Sequence, residues 1–167
     1  MEKWDLLDKE GNFSGKTMVR GEPIPDGFYH LVVDSWIVDN DGKLLITRRS
    51  PEKSYAGMWE PTTGSAKAGE TSLQAVIRET AEETGIDISQ KDIVFYGRFR
   101  HDGVRYFRDV YVIRMDYSLD DVVLQKGETD AAKKVTSEEI DRMTEKGVFL
   151  PKNIMFYMDD LFRSLKK

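Results

Sequence analysis

The spacing of hydrophobic and polar residues predicts strands and, between them, helices. From residue 28 to 38 both alternating faces are mostly apolar, which is typical of a strand covered on both sides. A turn signal at 39–42 leads into an apolar segment at 43–49, so we expect these two strands to pair as a hairpin. Further strands are predicted at 93–99, at 104–115 and near 133–135.

Three segments combine helical spacing of apolar residues with signals for a helix end. The first helix is predicted over 72–84, where Thr71 begins a capping box and Gly85 supplies the stop. The same signals predict a second helix over 137–146, and a third begins near Pro151. Strands interleaved with helices in this way predict an α/β sandwich with a mixed sheet.

The first 22 residues precede this pattern and predict an N-terminal β-hairpin extension. They hold two partly apolar segments around a Glu-Gly-Asn turn. Because 167 residues is close to the usual size of one domain and no linker-like stretch interrupts the chain, we expect a single domain over residues 1–167.

Composition excludes several classes of function. The chain has no cysteine, which removes disulfides, thiolate metal sites and cysteine nucleophiles. Thirty acids against 25 bases give a net charge of −5, so we expect no nucleic-acid partner. No stretch approaches the ~18 apolar residues of a membrane span, and we expect a cytoplasmic protein with no membrane partner. The sequence leaves the oligomeric state open, a homodimer included.

Three glutamates share one face of the first predicted helix. Glu79, Glu82 and Glu83 are spaced i, i+3 and i+4, while the apolar residues of the segment occupy a largely separate arc. Like charges side by side destabilise a helix unless a cation compensates, and Mg²⁺ prefers oxygen ligands of this kind. The arrangement is compatible with a metal site, although three glutamates alone are more often a solvated face.

The residues around these glutamates complete a longer pattern over residues 64–86, G-x5-E-x7-R-E-U-x-E-E-x-G-U, where U is aliphatic. Its seven fixed positions are all occupied, by Gly64, Glu70, Arg78, Glu79, Glu82, Glu83 and Gly85. This pattern is the Nudix box, and the chain resembles the Nudix hydrolases through it. The first U position departs from the pattern, because it holds Thr80, whose buried hydroxyl needs a partner.

The resemblance implies a Nudix α/β/α sandwich in which the box holds Mg²⁺ or Mn²⁺ ions. By that analogy the metal ligands are Glu79, Glu82 and Glu83, with the Gly64 carbonyl as a further ligand. Glu70 and Arg78 would brace the loop. The implied reaction is hydrolysis of a diphosphate linkage in a small-molecule substrate, typically a nucleoside diphosphate derivative, with the metal neutralising phosphate oxygens and acidifying water.

A narrower resemblance covers residues 4–88. The lead-in to the box, RRSPEKSYAGMW, is similar to that of the subgroup containing the type I isopentenyl-diphosphate isomerases. Those enzymes need a cysteine just before the first box glycine and a metal-binding histidine just after it, where this chain has Thr63 and Ser65. His30 falls where the isomerases have another metal histidine, and we interpret it instead as a strand histidine satisfied by hydrogen bonds.

Other polar residues are candidates for substrate contacts. Arg48, Arg49 and Lys53 precede the box and either bind a substrate phosphate or remain solvated bases at a strand end. Trp59 either stacks on a base or fills the core, and we favour the core.

The general base or an extra metal ligand has two candidates. Asp109 lies on an apolar strand face, where an acid needs a partner. Glu128 lies in a loop of the kind from which the family often draws this group. Both stay open.

We therefore expect a Mg²⁺-dependent pyrophosphohydrolase. The alternatives are an isoprenoid-diphosphate-related enzyme and a nucleotide-binding regulatory module that does not hydrolyse its ligand.

Overall fold

The computed structural model describes residues 1–167 and is built around a mixed sheet of seven strands. The strands are β1 (Lys3–Leu7), β2 (Phe13–Val19), β3 (His30–Val38), β4 (Leu44–Arg49), β5 (Trp59–Glu60), β6 (Thr62–Ser65), β7 (Ile93–His101), β8 (Tyr106–Arg114) and β9 (Thr129–Val135). The helices are α1 (Ser72–Thr84), α2 (Ser137–Glu145) and α3 (Met158–Leu165), with a 3-10 turn at Leu119–Asp121.

Strand β3 organises the sheet. It pairs with β8 in parallel along its whole length, from His30 opposite Tyr106 to Val38 opposite Arg114. On its other side it pairs with the short antiparallel strand β6, which carries the start of the box. Strand β7 forms the outer edge next to β8, and β4 pairs antiparallel with β5 and β9. This topology confirms the predicted mixed sheet.

The two faces of the central strands bury separate hydrophobic clusters. Alternate residues of β3, such as Trp36 and Ile37, point to opposite faces because side chains alternate across a strand. One cluster packs against α1, and the other packs against α2 and α3. This layering confirms the predicted α/β/α sandwich. That a single domain spans residues 1–167 stays a prediction.

The predicted N-terminal hairpin is present as β1 and β2, which form a two-stranded sheet of their own. Leu6, Leu7 and Met18 are buried beneath it, and Leu7 bridges to Tyr29 just before β3. The hairpin is therefore fastened to the main body by apolar contacts as well as backbone hydrogen bonds.

The predicted hairpin between β3 and β4 is mostly wrong. Only Val38 and Leu44 pair, after which β4 diverges and takes β9 as its antiparallel neighbour from Leu44 to Arg49. The reason is that β6 occupies the edge of β3 that a hairpin would need. The two short strands β5 and β6 were not predicted, because two to four residues carry too little alternation to register.

The third helix begins later than predicted. Residues 151–157 form successive turns, with the backbone N–H groups of Ile154 and Met155 donating to the Pro151 carbonyl, and α3 starts only at Met158. The adjacent residues Ile154 and Met155 are both buried, as is Tyr157, so this segment does not present one helical face to the core. None of the three helices is long and apolar enough to cross a membrane.

Candidate active site

Helix α1 sets the geometry of the site, and its ends are those predicted. The Thr71 hydroxyl oxygen accepts a hydrogen bond from the Gln74 backbone N–H, and the Gln74 side-chain oxygen accepts one from the Thr71 backbone N–H. At the other end Gly85 has φ of 73° and donates its backbone N–H to the Ala81 carbonyl. These caps fix where the helix begins and ends, so its glutamates face one direction.

A cleft of about 360 Å³ lies between α1, β6, the N-terminal hairpin and the loop before β9, and no hydrophobic side chain lines it. Its acidic residues are Glu2, Glu79, Glu82, Glu83 and Glu128. Its basic residues are Arg20, Lys53, Lys67 and Arg78. The three box glutamates predicted to hold metal therefore meet in one polar cleft.

Gly64 forms the floor of the cleft under Glu79. A Cβ atom at this position would lie 2.0 Å from the Glu79 Cδ and 2.3 Å from its Oε2. No side chain fits there, so the carboxylate approaches the backbone of β6 directly. The box requires glycine at this position because Glu79 occupies the space that any side chain would take.

Every N–H donor of the Arg78 guanidinium forms a hydrogen bond to a residue of the box. The guanidinium forms a bidentate pair with Glu70 at 2.6 and 2.8 Å and donates to the Ser65 carbonyl at 3.1 Å. Its remaining terminal nitrogen donates to Glu79 at 2.7 Å and to Glu82 at 3.1 Å. Although burial alone would raise it, the pKa of Glu70 lies below its ordinary value because Arg78 donates to the carboxylate. The predicted bracing pair of Glu70 and Arg78 is thus in place.

Glu83 is the most deeply buried acid of the cleft, with 1% of its surface exposed. Its Oε2 has no hydrogen-bond partner. Burial raises the pKa of Glu83 well above its ordinary value, and the nearby Glu60 carboxylate raises it further. Burial also raises the pKa of Glu79, which the hydrogen bond from Arg78 partly offsets. The ionised form of Glu79 is thus stabilised by Arg78, whereas the Oε2 of Glu83 meets no hydrogen-bond donor.

These observations fit a divalent cation at the site. An unpartnered buried carboxylate oxygen is costly unless a cation or donor meets it, and oxygen donors are the ligands that Mg²⁺ takes. No three acidic or histidine side chains converge tightly enough to form a finished ligand set. Arg78 instead holds Glu79 and Glu82, so a bound cation would have to draw these carboxylates away from the guanidinium.

Of the two candidates for a base, only Glu128 faces the cleft. Its carboxylate pairs with the Lys53 ammonium, which also lines the cleft. Asp109 is 2% exposed and accepts a bidentate pair from Arg98 at 2.6 and 2.8 Å. Asp109 therefore has the partner that its apolar surroundings require, and it lies outside the cleft.

Three predicted substrate contacts are likewise outside the cleft. Arg49 donates two hydrogen bonds to the fully buried Glu60, at 2.9 and 2.8 Å. Arg48 pairs with Asp130 at 2.6 Å. Trp59 is 7% exposed and belongs to a core cluster. Their positions do not support a substrate role for Arg48, Arg49 or Trp59, whereas Lys53 is well placed.

The position of the isomerase cysteine is occupied by Thr63, which is tied to a buried polar network. Its hydroxyl contacts the Asp34 carboxylate, which also binds Arg108 and the Tyr157 hydroxyl. Asp34 is fully buried, and Arg108 is 4% exposed. Thr63 therefore lines the cleft, but its hydroxyl is engaged by the buried Asp34.

His30 differs from the expected hydrogen-bonded strand histidine. Its Nδ1 is buried without a partner, and its ring stacks on Trp4 of the N-terminal hairpin at 4.3 Å between centroids. Burial lowers the pKa of His30 to about 4, and the positive charge of Arg108 contributes. The neutral ring thus serves as a packing surface for the hairpin.

Sequence reasoning does not assign six of the cleft-lining residues to the site, and two of them, Thr63 and Ser65, stand out only as departures from the isomerase pattern. It misses the other four entirely. Glu2 and Arg20 come from the hairpin, Lys67 from the box loop and Gln125 from the loop before β9. Lys67 lies within the box pattern but at a variable position, so no fixed residue drew attention to it. The hairpin residues carry no motif, and only the tertiary fold brings them to the cleft.

Comparison with known proteins places this site in a family. The model of the NUDIX domain matches residues 28–155. The uncharacterized Nudix hydrolase lmo0368 of Listeria monocytogenes is 39% identical over 166 residues, covering 97% of this chain and 94% of the relative.

Two further likenesses agree with that match. An isopentenyl-diphosphate Delta-isomerase of Citrobacter koseri is 34% identical over 98 residues, which cover 58% of this chain and 54% of the isomerase. The crystal structure of DR0079 from Deinococcus radiodurans superposes with a TM-score of 0.79 at 22% identity and covers 99% of this chain and 100% of that one, which shows the shared fold. The chain therefore belongs to the Nudix family of hydrolases, which act on pyrophosphate bonds.

Proposed function

We propose that this hydrolase depends on Mg²⁺ or Mn²⁺ and cleaves a diphosphate linkage in a nucleotide or another nucleoside diphosphate derivative. The observation that carries the proposal is the unpartnered Oε2 of Glu83, buried beside Glu79 at the floor of a polar cleft. An ionised carboxylate that is buried without a hydrogen-bond donor is unfavourable, and a bound cation would stabilise it.

Some side chains of the cleft would hold the cation, and others would position those ligands. Glu79, Glu82 and Glu83 would hold the cation, with the Gly64 carbonyl at the cleft floor as a further oxygen donor. A bound divalent cation supplies charge neutralisation at phosphate oxygens and lowers the pKa of water. Arg78 holds Glu79 and Glu82 in place before the cation binds. Its bidentate pair with Glu70 would keep the guanidinium in position when the cation draws those carboxylates away.

Proton removal from the attacking water is assigned to Glu128. It lines the same cleft as the metal-binding glutamates, and its partner Lys53 is a flexible cation that substrate phosphate can attract. When Lys53 turns to the phosphate, the Glu128 carboxylate is free to accept a proton. The cytoplasmic location and the small-molecule diphosphate partner remain predictions.

Isomerisation of an isoprenoid diphosphate receives no support from the site, despite the partial likeness to the isomerases. The chain has no cysteine, and Thr63 in its place is bound to Asp34. Ser65 replaces the companion histidine. A nucleotide-binding module without activity is the remaining alternative, and a turnover assay separates it from a hydrolase.

The test is product release from a panel of nucleoside triphosphates, nucleoside diphosphates, sugar nucleotides and dinucleotides, with Mg²⁺ and with Mn²⁺. We expect phosphate or nucleoside monophosphate to appear, and both Glu82→Gln and Glu83→Gln to lower turnover by about 100-fold through loss of a metal ligand. Glu145→Gln on α2 is the matched control and keeps full activity. Ligand binding without cleavage of any compound would overturn the proposal in favour of the regulatory module.

A further inference from the structure

The N-terminal hairpin contributes a wall of the cleft, and its position is fixed. The backbone N–H of Ala68 donates to the Lys3 carbonyl, and that of Gly69 donates to the Asp5 carboxylate, both at 2.8 Å. The hairpin thereby holds the box loop by two hydrogen bonds, in addition to the stack of Trp4 on His30. Side chains at the end of β2 are therefore held against the cleft.

Among the four bases of the cleft, two are already committed. All five N–H donors of Arg78 are matched by its five hydrogen bonds to protein oxygens. Lys53 pairs with Glu128. A substrate anion would have to displace a protein carboxylate to reach either of them.

The other two bases, Arg20 and Lys67, use few of their N–H donors in contacts with the protein. Arg20 makes one hydrogen bond through its guanidinium, a long contact of 3.4 Å to the Glu2 carboxylate, and 53% of its side chain is exposed. Lys67 lies 3.8 Å from Glu82, beyond hydrogen-bond distance, and 42% of its side chain is exposed. Most of the donors of these two side chains are therefore available to a ligand.

Space for a ligand continues past these two bases. An open groove of about 430 Å³ is formed by Met1, Glu2, Lys3, Lys67 and Ala68. It shares Glu2 and Lys67 with the metal-binding cleft. A substrate whose diphosphate lies over the box glutamates can extend across this shared edge into the groove.

We propose that Arg20 and Lys67 form an anion-binding edge that contacts a further phosphate or other anionic group of the substrate, beyond the cleaved linkage. Glu2 opposes this contact because its carboxylate competes for the Arg20 guanidinium. The preferred substrates are then compounds with an additional anionic group, such as nucleoside triphosphates or phosphorylated diphosphate derivatives. This inference rests on the proposed function, since it places the diphosphate over the box glutamates.

The experiment measures binding of the non-hydrolysable imido analogues of inorganic diphosphate and triphosphate, by calorimetry in Mg²⁺. We expect the wild-type protein to bind the triphosphate analogue more tightly than the diphosphate analogue. Arg20→Gln and Lys67→Gln should each weaken binding of the triphosphate analogue by about fivefold or more, as for loss of one charged hydrogen bond, and change binding of the diphosphate analogue by less than about twofold.

Substitution of the neighbouring Glu2 should have the opposite effect and strengthen binding of the triphosphate analogue. Glu2→Gln keeps the oxygen that accepts from Trp4 Nε1 but removes the charge that competes for Arg20, so the triphosphate analogue should bind about twofold more tightly or better. Arg163→Gln, on α3 and paired with Asp160, is the matched arginine control and should bind both analogues as the wild type does.

Three results of the binding experiment overturn the inference: no binding of either analogue by the wild-type protein, equal effects of Arg20→Gln on the two analogues, or weaker binding by Glu2→Gln. Failure of the proposed function is distinguishable from these. A protein that shows the expected binding pattern but cleaves nothing in the substrate panel loses the hydrolase mechanism and keeps the anion-binding edge. A protein that cleaves a diphosphate with unchanged KM in Arg20→Gln and Lys67→Gln loses only the edge.

Discussion

At the scale of single residues, Gly64 and Glu79 compete for one small volume. The hydrogen atom of Gly64 leaves room for the Glu79 carboxyl group, whose Cδ would lie 2.0 Å from an added Cβ. The atoms in conflict belong to the end of a flexible side chain, so the fold can relieve a clash by moving the carboxylate. The glycine thus makes room for the Glu79 carboxylate, and we expect it to matter more for the position of that carboxylate than for the stability of the strand.

Gly64→Ala should therefore separate stability from activity. We expect a folded protein with an unfolding midpoint close to that of the wild type and a metal affinity or turnover lowered by about 10- to 100-fold, because Glu79 is displaced. Thermal unfolding and a Mg²⁺ titration measure the two effects. Gly103→Ala, in an exposed turn where the nearest neighbour of a new Cβ is 3.3 Å away, is the control. A fully active Gly64→Ala would contradict the role given to Glu79.

His30 links the stability of the hairpin to pH. Its pKa is lowered from 6.5 to about 4 in the folded protein, first by burial and then by Arg108. The folded state therefore prefers the neutral ring, so this contribution to stability is complete above pH 6.5 and is lost as pH falls toward 4. A difference of this size corresponds to about 2 kcal/mol between pH 7 and pH 5.

Replacement of His30 by phenylalanine should remove that pH dependence while retaining a flat ring against Trp4. We expect the wild-type protein to lose about 2 kcal/mol more of its unfolding free energy between pH 7 and pH 5 than His30→Phe does. Urea unfolding at the two pH values measures the difference. Parallel losses in both proteins would show that the pKa of His30 is the same in the folded and the unfolded chain.

At the scale of elements, two buried threonines of α1 have different duties. The hydroxyl of Thr80 donates to the Val76 carbonyl at 2.7 Å, an oxygen that the helix already uses. The hydroxyl of Thr84 donates to the Thr80 carbonyl at 2.6 Å and accepts the backbone N–H of Ile86 at 3.2 Å, beyond the end of the helix. The Thr80 hydroxyl therefore only donates to a carbonyl of its own helix. The Thr84 hydroxyl is in addition the acceptor for the Ile86 N–H, which has no other partner.

Valine at each position should reveal that difference. Thr80→Val should change the unfolding free energy by less than about 1 kcal/mol and leave turnover intact, because no other group depends on its hydroxyl. Thr84→Val should destabilise by about 1–3 kcal/mol, because the Ile86 N–H is left buried without an acceptor. Chemical denaturation of the two variants side by side is the measurement. Equal effects would mean that the hydroxyls act only through volume.

Elements whose signals are local were predicted well, and those fixed by distant partners were not. The ends of α1 follow from Thr71 and Gly85, which act within a few residues of themselves. The segment before α3 contacts distant elements, and the Tyr157 hydroxyl donates a hydrogen bond to Asp34 on β3. No short stretch of the sequence indicates such a long-range contact. The apolar spacing alone therefore predicted a helix that begins too early, near Pro151.

At the scale of the whole molecule, the same distinction separates the two walls of the cleft. The box fixes Glu79, Glu82 and Glu83 by their spacing on one helix, and that they face the same cleft could be predicted. Arg20 lies much farther from the box in sequence than Arg48 and Arg49 do, yet Arg20 faces the cleft. Tertiary folding turned the nearer arginines to Asp130 and Glu60, and ion pairs of this kind are not readable from a single sequence.

Several carboxylates lie close together in the cleft, and we expect a bound cation to reduce the repulsion between their charges. Glu83 is 1% exposed and has an unpartnered oxygen, whereas the side chain of Glu82 is 39% exposed. Without metal, Glu83→Gln should raise the unfolding free energy by about 1 kcal/mol or more, because a buried, uncompensated acid is removed. Glu82→Gln should change it by less than about 0.5 kcal/mol, as for an ordinary surface substitution.

Addition of Mg²⁺ should reverse the order of stability. At a concentration 100 times its dissociation constant, the cation should stabilise the wild-type protein by about 2.7 kcal/mol, because it binds the folded state alone. Glu83→Gln should gain less than about 1 kcal/mol, since the deepest ligand is gone. Thermal unfolding with EDTA and with Mg²⁺ gives both comparisons in one set of scans. If Glu83→Gln were destabilised without metal and gained the full increment with it, the buried carboxylate would be a structural acid, and the metal site would have to lie elsewhere in the cleft.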